Sequence, residues 1–219
     1  MSIKAIIFCV HNSGSRGAEY KSIITSVKEK SLLIAVDSGA DLLFQLRITP
    51  DIIIGDLDSI KPNVLDYFQN RVEIIRFPKE KNETDTELAV EWCINKGIRE
   101  LLIINNMRGD LAHTLGVLAI LNSGFTKKVD IRIESLHETA FMVPKKCRLK
   151  GKVGQKLSLL PISPVVKGIT TSGLAYPLKN EELRYDACRG LSNLFVDEEV
   201  TINYGYGRLI ALLDKGERG

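Results

Sequence analysis

The sequence lacks several features that would assign it to a special class of protein. No run approaches the roughly 18 apolar residues of a membrane span, and the start, "MSIKAIIFCV", lacks the layout of a signal peptide and predicts a first strand. The 30 Lys and Arg residues exceed the 27 Asp and Glu residues by only three, too few to indicate a nucleic-acid partner. Four cysteines occur without a C-x-x-C pair, which argues against a disulfide frame or a zinc site. We therefore expect a cytoplasmic protein with reduced thiols and neither nucleic acid nor membrane as a partner.

The composition is that of a globular protein with a real core. Apolar residues make up 44% of the chain and charged residues 26%, which is ordinary for a folded soluble protein. The 219 residues suit one large domain or two modest ones.

Short β-branched runs alternate with segments of helical spacing through about residue 135. The runs are "IKAIIFCV", "LLIAVD", "DIIIGD", "VEIIRF", "LLIIN" and "VDIRIES". Helical spacing is clearest in "TDTELAVEWCINKG" and "LAHTLGVLAILNSG", and each ends in a glycine that is typical of a helix C-terminus. This alternation predicts an α/β domain, residues 1–137, with a mostly parallel sheet and helices on both faces.

The pattern of apolar and polar residues changes after about residue 137. Short apolar runs are then separated by Gly and Pro, and no segment has convincing helical spacing. This pattern predicts a small antiparallel β-sandwich or barrel over residues 138–219.

Carboxylates follow consecutive strands of the predicted sheet. Asp37 comes after the second strand, Asp56 and Asp58 after the third, Asp85 after the fourth and Asp110 after the fifth. Ligands of open α/β sheets bind at the carboxyl ends of the strands. If the backbone stays extended through "GDLDS", the carboxylates of the third loop also point to one face.

Each of these carboxylates also has a structural interpretation. A D-x-D turn can simply be solvated, Thr84 and Glu87 fit a capping box, and Asp85 or Asp110 in a first helical turn is favoured by the helix dipole. The set as a whole favours function, because the repulsion between like charges accumulates. Mg²⁺ prefers oxygen ligands and usually brings substrate phosphates with it.

The first loop, "HNSGSRGAEYKS", predicts a phosphate-binding turn. Gly14 and Gly17 permit close backbone approach, and Arg16 adds positive charge. No G-K-[ST] follows, which excludes a P-loop kinase.

The motifs together resemble the thiamine pyrophosphokinase family over essentially the whole chain. They are "DSGADLL", "PDIIIGDLDSI", "TDTELAV" and "HTLGVLAIL", followed in the tail by "SGLAYPL" and "LSNLF". The resemblance implies that a pyrophosphoryl group passes from ATP to the hydroxyl of thiamine with Mg²⁺, giving thiamine diphosphate and AMP. It also implies a homodimer, with thiamine near the β-sandwich at the subunit interface.

The resemblance implies a role for particular residues. The expected metal ligands are Asp56, Asp58 and Asp85. The expected catalytic residues are these three together with Arg108 and Asp110. The expected nucleotide contacts are Asp37, Ser38, Gly39, Ser59 and Thr84. Arg16 joins them as an expected phosphate contact because of its charge in the first loop, not because of the resemblance. Contacts with thiamine fall to Tyr176, Ser192 and Asn193. Which aspartate accepts the hydroxyl proton stays open.

One loop departs from the family pattern, Gly-Gly-Arg-x-Asp-His-x-Leu. Aligning the His-Thr-Leu of "NNMRGDLAHTL" puts Ala112 where Asp belongs and Asp110 where Arg belongs. Sliding by two residues restores Arg-x-Asp as Arg108 and Asp110, and we prefer this frame because it meets the same charge requirements. Two alternatives stay open: a diphosphokinase for another alcohol such as a pterin, and a catalytically decayed regulator that binds thiamine or nucleotide.

Overall fold

A computed structural model describes residues 4–10, 14–107 and 111–216 of the chain. These residues form two compact units, Met1–Leu136 and His137–Gly219. Arg108 and Asp110, both predicted catalytic residues, lie outside the described residues.

The first unit contains a parallel sheet. Its strands are β1 (Lys4–Phe8), β2 (Ser31–Val36), β3 (Ile52–Gly55), β4 (Glu73–Arg76), β5 (Glu100–Ile104) and β6 (Asp130–Glu134). They run in the order β6-β5-β1-β2-β3-β4, and every pair is parallel. The six apolar runs of the sequence therefore form the six strands, as predicted.

Helices cover both faces of this sheet. They are α1 (Gly17–Val27), α2 (Gly39–Gln45), α3 (Pro62–Phe68), α4 (Asp85–Asn95) and α5 (Leu111–Asn122). Ile6 and Leu33 pack with residues of α1, α2 and α3 in one buried cluster. Ile7 and Ile34 alternate with them and are also buried, so they point to the opposite face. Helix α4 contacts β1, β2 and β3. Its buried residues Ala89, Val90 and Cys93 contribute to the core on this second face of the sheet.

The second unit is an antiparallel sandwich. Its strands are β7 (Glu138–Met142), β8 (Lys146–Lys150), β9 (Lys156–Pro161), β10 (Val165–Ser172), β11 (Lys179–Arg184), β12 (Asn193–Leu194), β13 (Glu199–Asn203) and β14 (Leu209–Asp214). Strands β12-β9-β14-β7 form one layer and β11-β10-β13-β8 the other. One apolar cluster includes Leu159 and Leu209 from the first layer and Ile169 and Ile202 from the second. The predicted fold class is confirmed.

The helices of the described residues are too short or too polar to cross a membrane.

Candidate active site

Three carboxylates meet at the carboxyl edge of the parallel sheet. Asp37 follows β2, and Asp56 and Asp58 follow the adjacent strand β3. One oxygen from each lies within 4.8 Å of the others. The sequence predicted that these aspartates would share one edge of the sheet, because each follows a strand of the α/β unit.

The backbone between Asp56 and Asp58 is a turn, so the expectation of an extended D-L-D segment is wrong. Strand β3 ends at Gly55, and Leu57 has φ +69°. The Asp58 amide donates to Asp56 Oδ1 at 3.1 Å, as Asx turns do. Leu57 is buried in the core cluster that contains α1, α2 and α3, and this burial favours the turn over a continued strand.

Asp37 is the most enclosed member of the cluster. Its φ is +47°, and its Oδ1 accepts a hydrogen bond from the Leu57 amide at 3.0 Å. A Cβ on Gly55 would lie 2.3 Å from that oxygen, so only glycine leaves room for it. Burial, reinforced by the charges of Asp85 and Asp56, raises the pKa of Asp37 from 3.8 to about 6.

The fourth carboxylate stands at the start of α4. Thr84 caps this helix, because its Oγ1 accepts from the Glu87 amide and its own amide donates to Glu87 Oε2. The predicted capping box is therefore confirmed. Asp85, the first residue of the helix, has Oδ1 2.8 Å from Lys81 Nζ. It also acts on Asp37 through its charge.

Two lysines that the sequence reading did not single out are paired with these carboxylates. Lys79 Nζ lies 2.5 Å from Asp58 Oδ2, and Lys81 Nζ lies 3.5 Å from Asp56 Oδ2. The Asp58 amide and Lys81 lower the pKa of Asp56, against a smaller opposing effect of burial. Burial alone would lower the pKa of Lys81, but its pairs with Asp85 and Asp56 raise it. The spacing of Lys81 and Asp85 gave no signal, because α4 begins at Asp85 and pairs four residues apart are favoured only within a helix.

The predicted nucleotide-binding residues surround the cluster in part. The Ser38 amide donates to Ser59 Oγ at 3.2 Å, which joins the loops after β2 and β3. Gly39 begins α2 so close to β1 that a Cβ would lie 2.5 Å from the Phe8 carbonyl oxygen. Arg16 instead makes two hydrogen bonds of 2.6 Å to Glu19 in the first turn of α1. Its predicted phosphate contact stays a prediction.

The predicted thiamine-binding residues lie in the second unit. Tyr176 is 72% exposed, which contradicts its alternative interpretation as a core aromatic. Its amide donates to Asn193 Oδ1 at 3.0 Å, and its carbonyl accepts from Asn193 Nδ2 at 2.8 Å. The buried Asn193 thus fixes the backbone that presents the ring. Ser192 precedes it with φ +54° and donates its amide to Ser158 Oγ.

The cluster fits a hard divalent cation. Its ligand atoms are carboxylate oxygens, which Mg²⁺ prefers over nitrogen or sulfur. Asp56, Asp58 and Asp85 are paired with the two ammonium groups of Lys79 and Lys81, and Asp37 adds a fourth carboxylate beside Asp56 and Asp58. With all four carboxylates ionised, the group retains a negative charge of two. The donor chemistry and the charge agree with one bound Mg²⁺.

Two family models match the chain. The first, "Thiamin pyrophosphokinase, catalytic domain", matches residues 24–133. The second, "Thiamin pyrophosphokinase, vitamin B1 binding domain", matches residues 143–209.

Relatives and solved structures agree with these matches. The thiamine pyrophosphokinase of Bacillus subtilis (strain 168) is 26% identical over 187 residues, which cover 84% of this chain and 87% of the relative. Thiamine pyrophosphokinase 1 of Arabidopsis thaliana is 27% identical over 175 residues, covering 74% and 64%. The crystal structure of the Bacillus subtilis thiamine pyrophosphokinase has the same fold, with a TM-score of 0.82 at 22% identity and coverage of 98% and 100%. That of Candida albicans superposes with a TM-score of 0.77 at 17% identity, covering 96% and 89%.

Proposed function

The chain belongs to the thiamin pyrophosphokinase family, and we propose that it transfers the pyrophosphoryl group of ATP to the hydroxyl of thiamine, giving thiamine diphosphate and AMP. The observation that carries this proposal is the convergence of Asp37, Asp56 and Asp58 within 4.8 Å. These residues lie in the segment that matches the catalytic-domain model. The resemblance stated from the sequence motifs is confirmed.

The chemistry asks the protein for positioning and for charge compensation. The thiamine hydroxyl loses its proton and attacks the β-phosphorus of ATP. The bond from that phosphorus to the oxygen it shares with the α-phosphate breaks, and AMP leaves with this oxygen. Mg²⁺ would neutralise charge that develops on the phosphoryl oxygens. Asp56 and Asp58 would hold this ion, and the predicted third ligand is Asp85 at the start of α4. Asp37, which has an oxygen within 4.8 Å of theirs, is a further candidate ligand. The Asx turn and the capping box fix these carboxylates before any substrate arrives, so little reorganisation is needed.

Thiamine would bind on the second unit. Tyr176 offers an exposed ring held on a backbone that Asn193 braces from both sides. Aromatic faces attract cations, and the thiazolium ring of thiamine is cationic. Ser192 and Asn193, which stand at the family's Ser-Asn motif, complete the predicted contacts.

We also propose a homodimer. The apolar helix α5 leaves Leu111 and Leu115 exposed, and exposed apolar side chains close together on a helix are typical of surfaces that another protein covers. Sedimentation equilibrium should give twice the chain mass, and a monomer at every concentration would contradict the proposal.

A cytoplasmic location is supported by the state of the cysteines. All four are free thiols, and Cys9 and Cys93 are buried. Burial raises the pKa of Cys9 to about 11 and that of Cys93 to about 12, so both stay protonated and unreactive.

AMP release from ATP tests the proposed reaction. With Mg²⁺ present, AMP should appear when thiamine is added and stay at background without it. Release that requires a different alcohol, such as a pterin, would assign another substrate. Tight thiamine binding without AMP would indicate a protein that has lost catalysis.

A further inference from the structure

Lys81 occupies an unusual place for a lysine. It lies four residues before Asp85, in the segment between β4 and α4, and its side chain is only 12% exposed. Its Nζ stands 2.8 Å from Asp85 Oδ1 and 3.5 Å from Asp56 Oδ2. The ammonium therefore bridges carboxylates from two different loops of the candidate active site.

Lys79 provides an internal comparison, because it pairs with the same group of carboxylates from outside. Its side chain is 76% exposed, and it contacts Asp58 at 2.5 Å. An exposed ion pair of this kind contributes little, since solvent screens both charges. Lys81 is enclosed and Lys79 is solvated, although only one residue separates them.

The bridge made by Lys81 is an enclosed ion pair. Both Lys81 Nζ and Asp85 Oδ1 are buried, and they stand 2.8 Å apart. A buried ammonium with three donors normally requires partners for them. The partners of the Lys81 ammonium are the carboxylates of Asp85 and Asp56.

One of these carboxylates, that of Asp56, is also a candidate ligand of a divalent ion. Asp56 belongs both to the contact with Lys81 and to the cluster of oxygens within 4.8 Å. A cation bound by Asp56 and an ammonium paired with it repel each other and compete for the carboxylate.

We propose that Lys81 is a positioning residue: a resident cation that holds Asp56 and Asp85 together in the metal-free enzyme and yields these carboxylates to Mg²⁺. The inference rests on the proposed function, since it assigns the carboxylates to metal binding. In the metal-free protein, Lys81 limits the repulsion between the loops after β3 and β4. During metal binding, the Lys81 ammonium competes with the metal ion for the carboxylates, and this competition lowers the affinity of the site for the metal.

The test measures metal binding without nucleotide or thiamine. Mn²⁺ binding is followed by the EPR signal of the free ion, with Mg²⁺ as competitor, for the wild-type protein and for Lys81→Met, Lys81→Arg and Lys79→Met. We expect Lys81→Met to bind Mn²⁺ about tenfold more tightly, because it removes a charge close to the site from a poorly solvated position. Lys81→Arg keeps the charge and should stay within about threefold of wild type, as should Lys79→Met, whose charge is solvated.

Thermal unfolding in EDTA gives a second readout. Lys81→Met should melt below the wild type, and saturating Mg²⁺ should raise its melting temperature by more than it raises that of the wild type. Unchanged or weaker Mn²⁺ binding by Lys81→Met would overturn the proposal, as would an equal gain in Lys79→Met. The proposed function fails separately, by absence of thiamine-dependent AMP release from the wild-type enzyme.

Discussion

Replacing Asp37 by Asn should stabilise the metal-free protein at neutral and alkaline pH. The buried carboxyl has its pKa raised from 3.8 to about 6 by burial and by the charges of Asp85 and Asp56. Ionising it inside the fold is therefore harder than ionising it in the unfolded chain. An asparagine has nearly the same shape, and its Oδ1 can still accept from the Leu57 amide, which lies 3.0 Å away.

The size of the effect follows from the shift in pKa. One unit corresponds to about 1.4 kcal/mol, so the shift from 3.8 to about 6 sets an upper value of about 3 kcal/mol. Because the folded pKa of Asp37 is the higher one, the folded state binds more protons between these values. The stabilising contribution of Asp37 is thus complete below pH 3.8 and is lost as the pH rises through about 6.

Urea unfolding in EDTA at pH 4.5 and pH 8 measures the difference. The unfolding free energy of Asp37→Asn minus that of wild type should increase by 1–3 kcal/mol from the lower to the higher pH, on the order set by the linkage relation. Titrating groups that do not interact with Asp37 cancel in this comparison. Asp56→Asn is the control, because the Asp58 amide and Lys81 lower the pKa of Asp56 from 3.8. A group with a lowered pKa contributes stability that is already present above its unfolded pKa, so the Asp56→Asn difference should change much less between pH 4.5 and pH 8 than the Asp37→Asn difference. An Asp37→Asn difference that is flat with pH, or that falls toward pH 8, would refute the reasoning.

The remaining predictions concern catalysis, substrate binding and helix formation. Asp58→Asn should abolish AMP release while the melting temperature hardly changes, since surface substitutions rarely cost much stability; near-normal turnover at low Mg²⁺ would contradict its role. Tyr176→Ala should raise KM for thiamine but not for ATP, and unfolding of this variant would contradict the exposed position of the ring. Thr84→Ala should cost about 1 kcal/mol in urea unfolding, and Thr84→Ser should restore it. Arg108→Ala should slow AMP release about a hundredfold if Arg108 contacts the phosphates, whereas a silent Arg108→Ala with a faster Asp110→Arg would favour the other alignment frame.

The strands were predictable because a parallel sheet is buried on both faces. Such strands must be apolar at almost every position, so runs like "LLIAVD" and "DIIIGD" carry a strong signal over few residues. The capping box at Thr84 was also predictable, since its two hydrogen bonds require side chains at fixed spacing. Both signals are local in sequence.

The geometry of the D-L-D segment was not predictable from its letters. The carboxylates were expected to share one face of an extended strand, yet Leu57 has φ +69°. A positive φ is uncommon for residues other than glycine and asparagine, and leucine gives no local sign of it. Burial of Leu57 in the core decides the conformation, and that burial depends on helices elsewhere in the sequence.

The role of Lys81 was missed for a related reason. In "PKEKNETD" the charges alternate as they do in a solvated loop, and nothing in the letters separates Lys79 from Lys81. The structure separates them by exposure, 76% against 12%. Lys81 is enclosed where it contacts Asp56 and Asp85, and only the assembled sheet brings these two residues together.

The raised pKa of Asp37 and the enclosed position of Lys81 are two consequences of one repulsion. Four carboxylates are held close together by the order of the strands and by the start of α4. They cannot move apart without shifting these elements, which belong to the core. Three features reduce this repulsion. Backbone amides donate hydrogen bonds to Asp37 and Asp56, and lysine ammonium groups pair with Asp56, Asp58 and Asp85. The raised pKa of Asp37 also keeps its carboxyl protonated to a higher pH. A bound divalent cation would take over the roles of the lysine pairs and of the protonated Asp37. Metal binding should therefore stabilise this protein more at pH 8, where Asp37 is ionised, than at pH 5. Equal stabilisation by Mg²⁺ at both pH values would show that the ionisation of Asp37 does not affect metal binding.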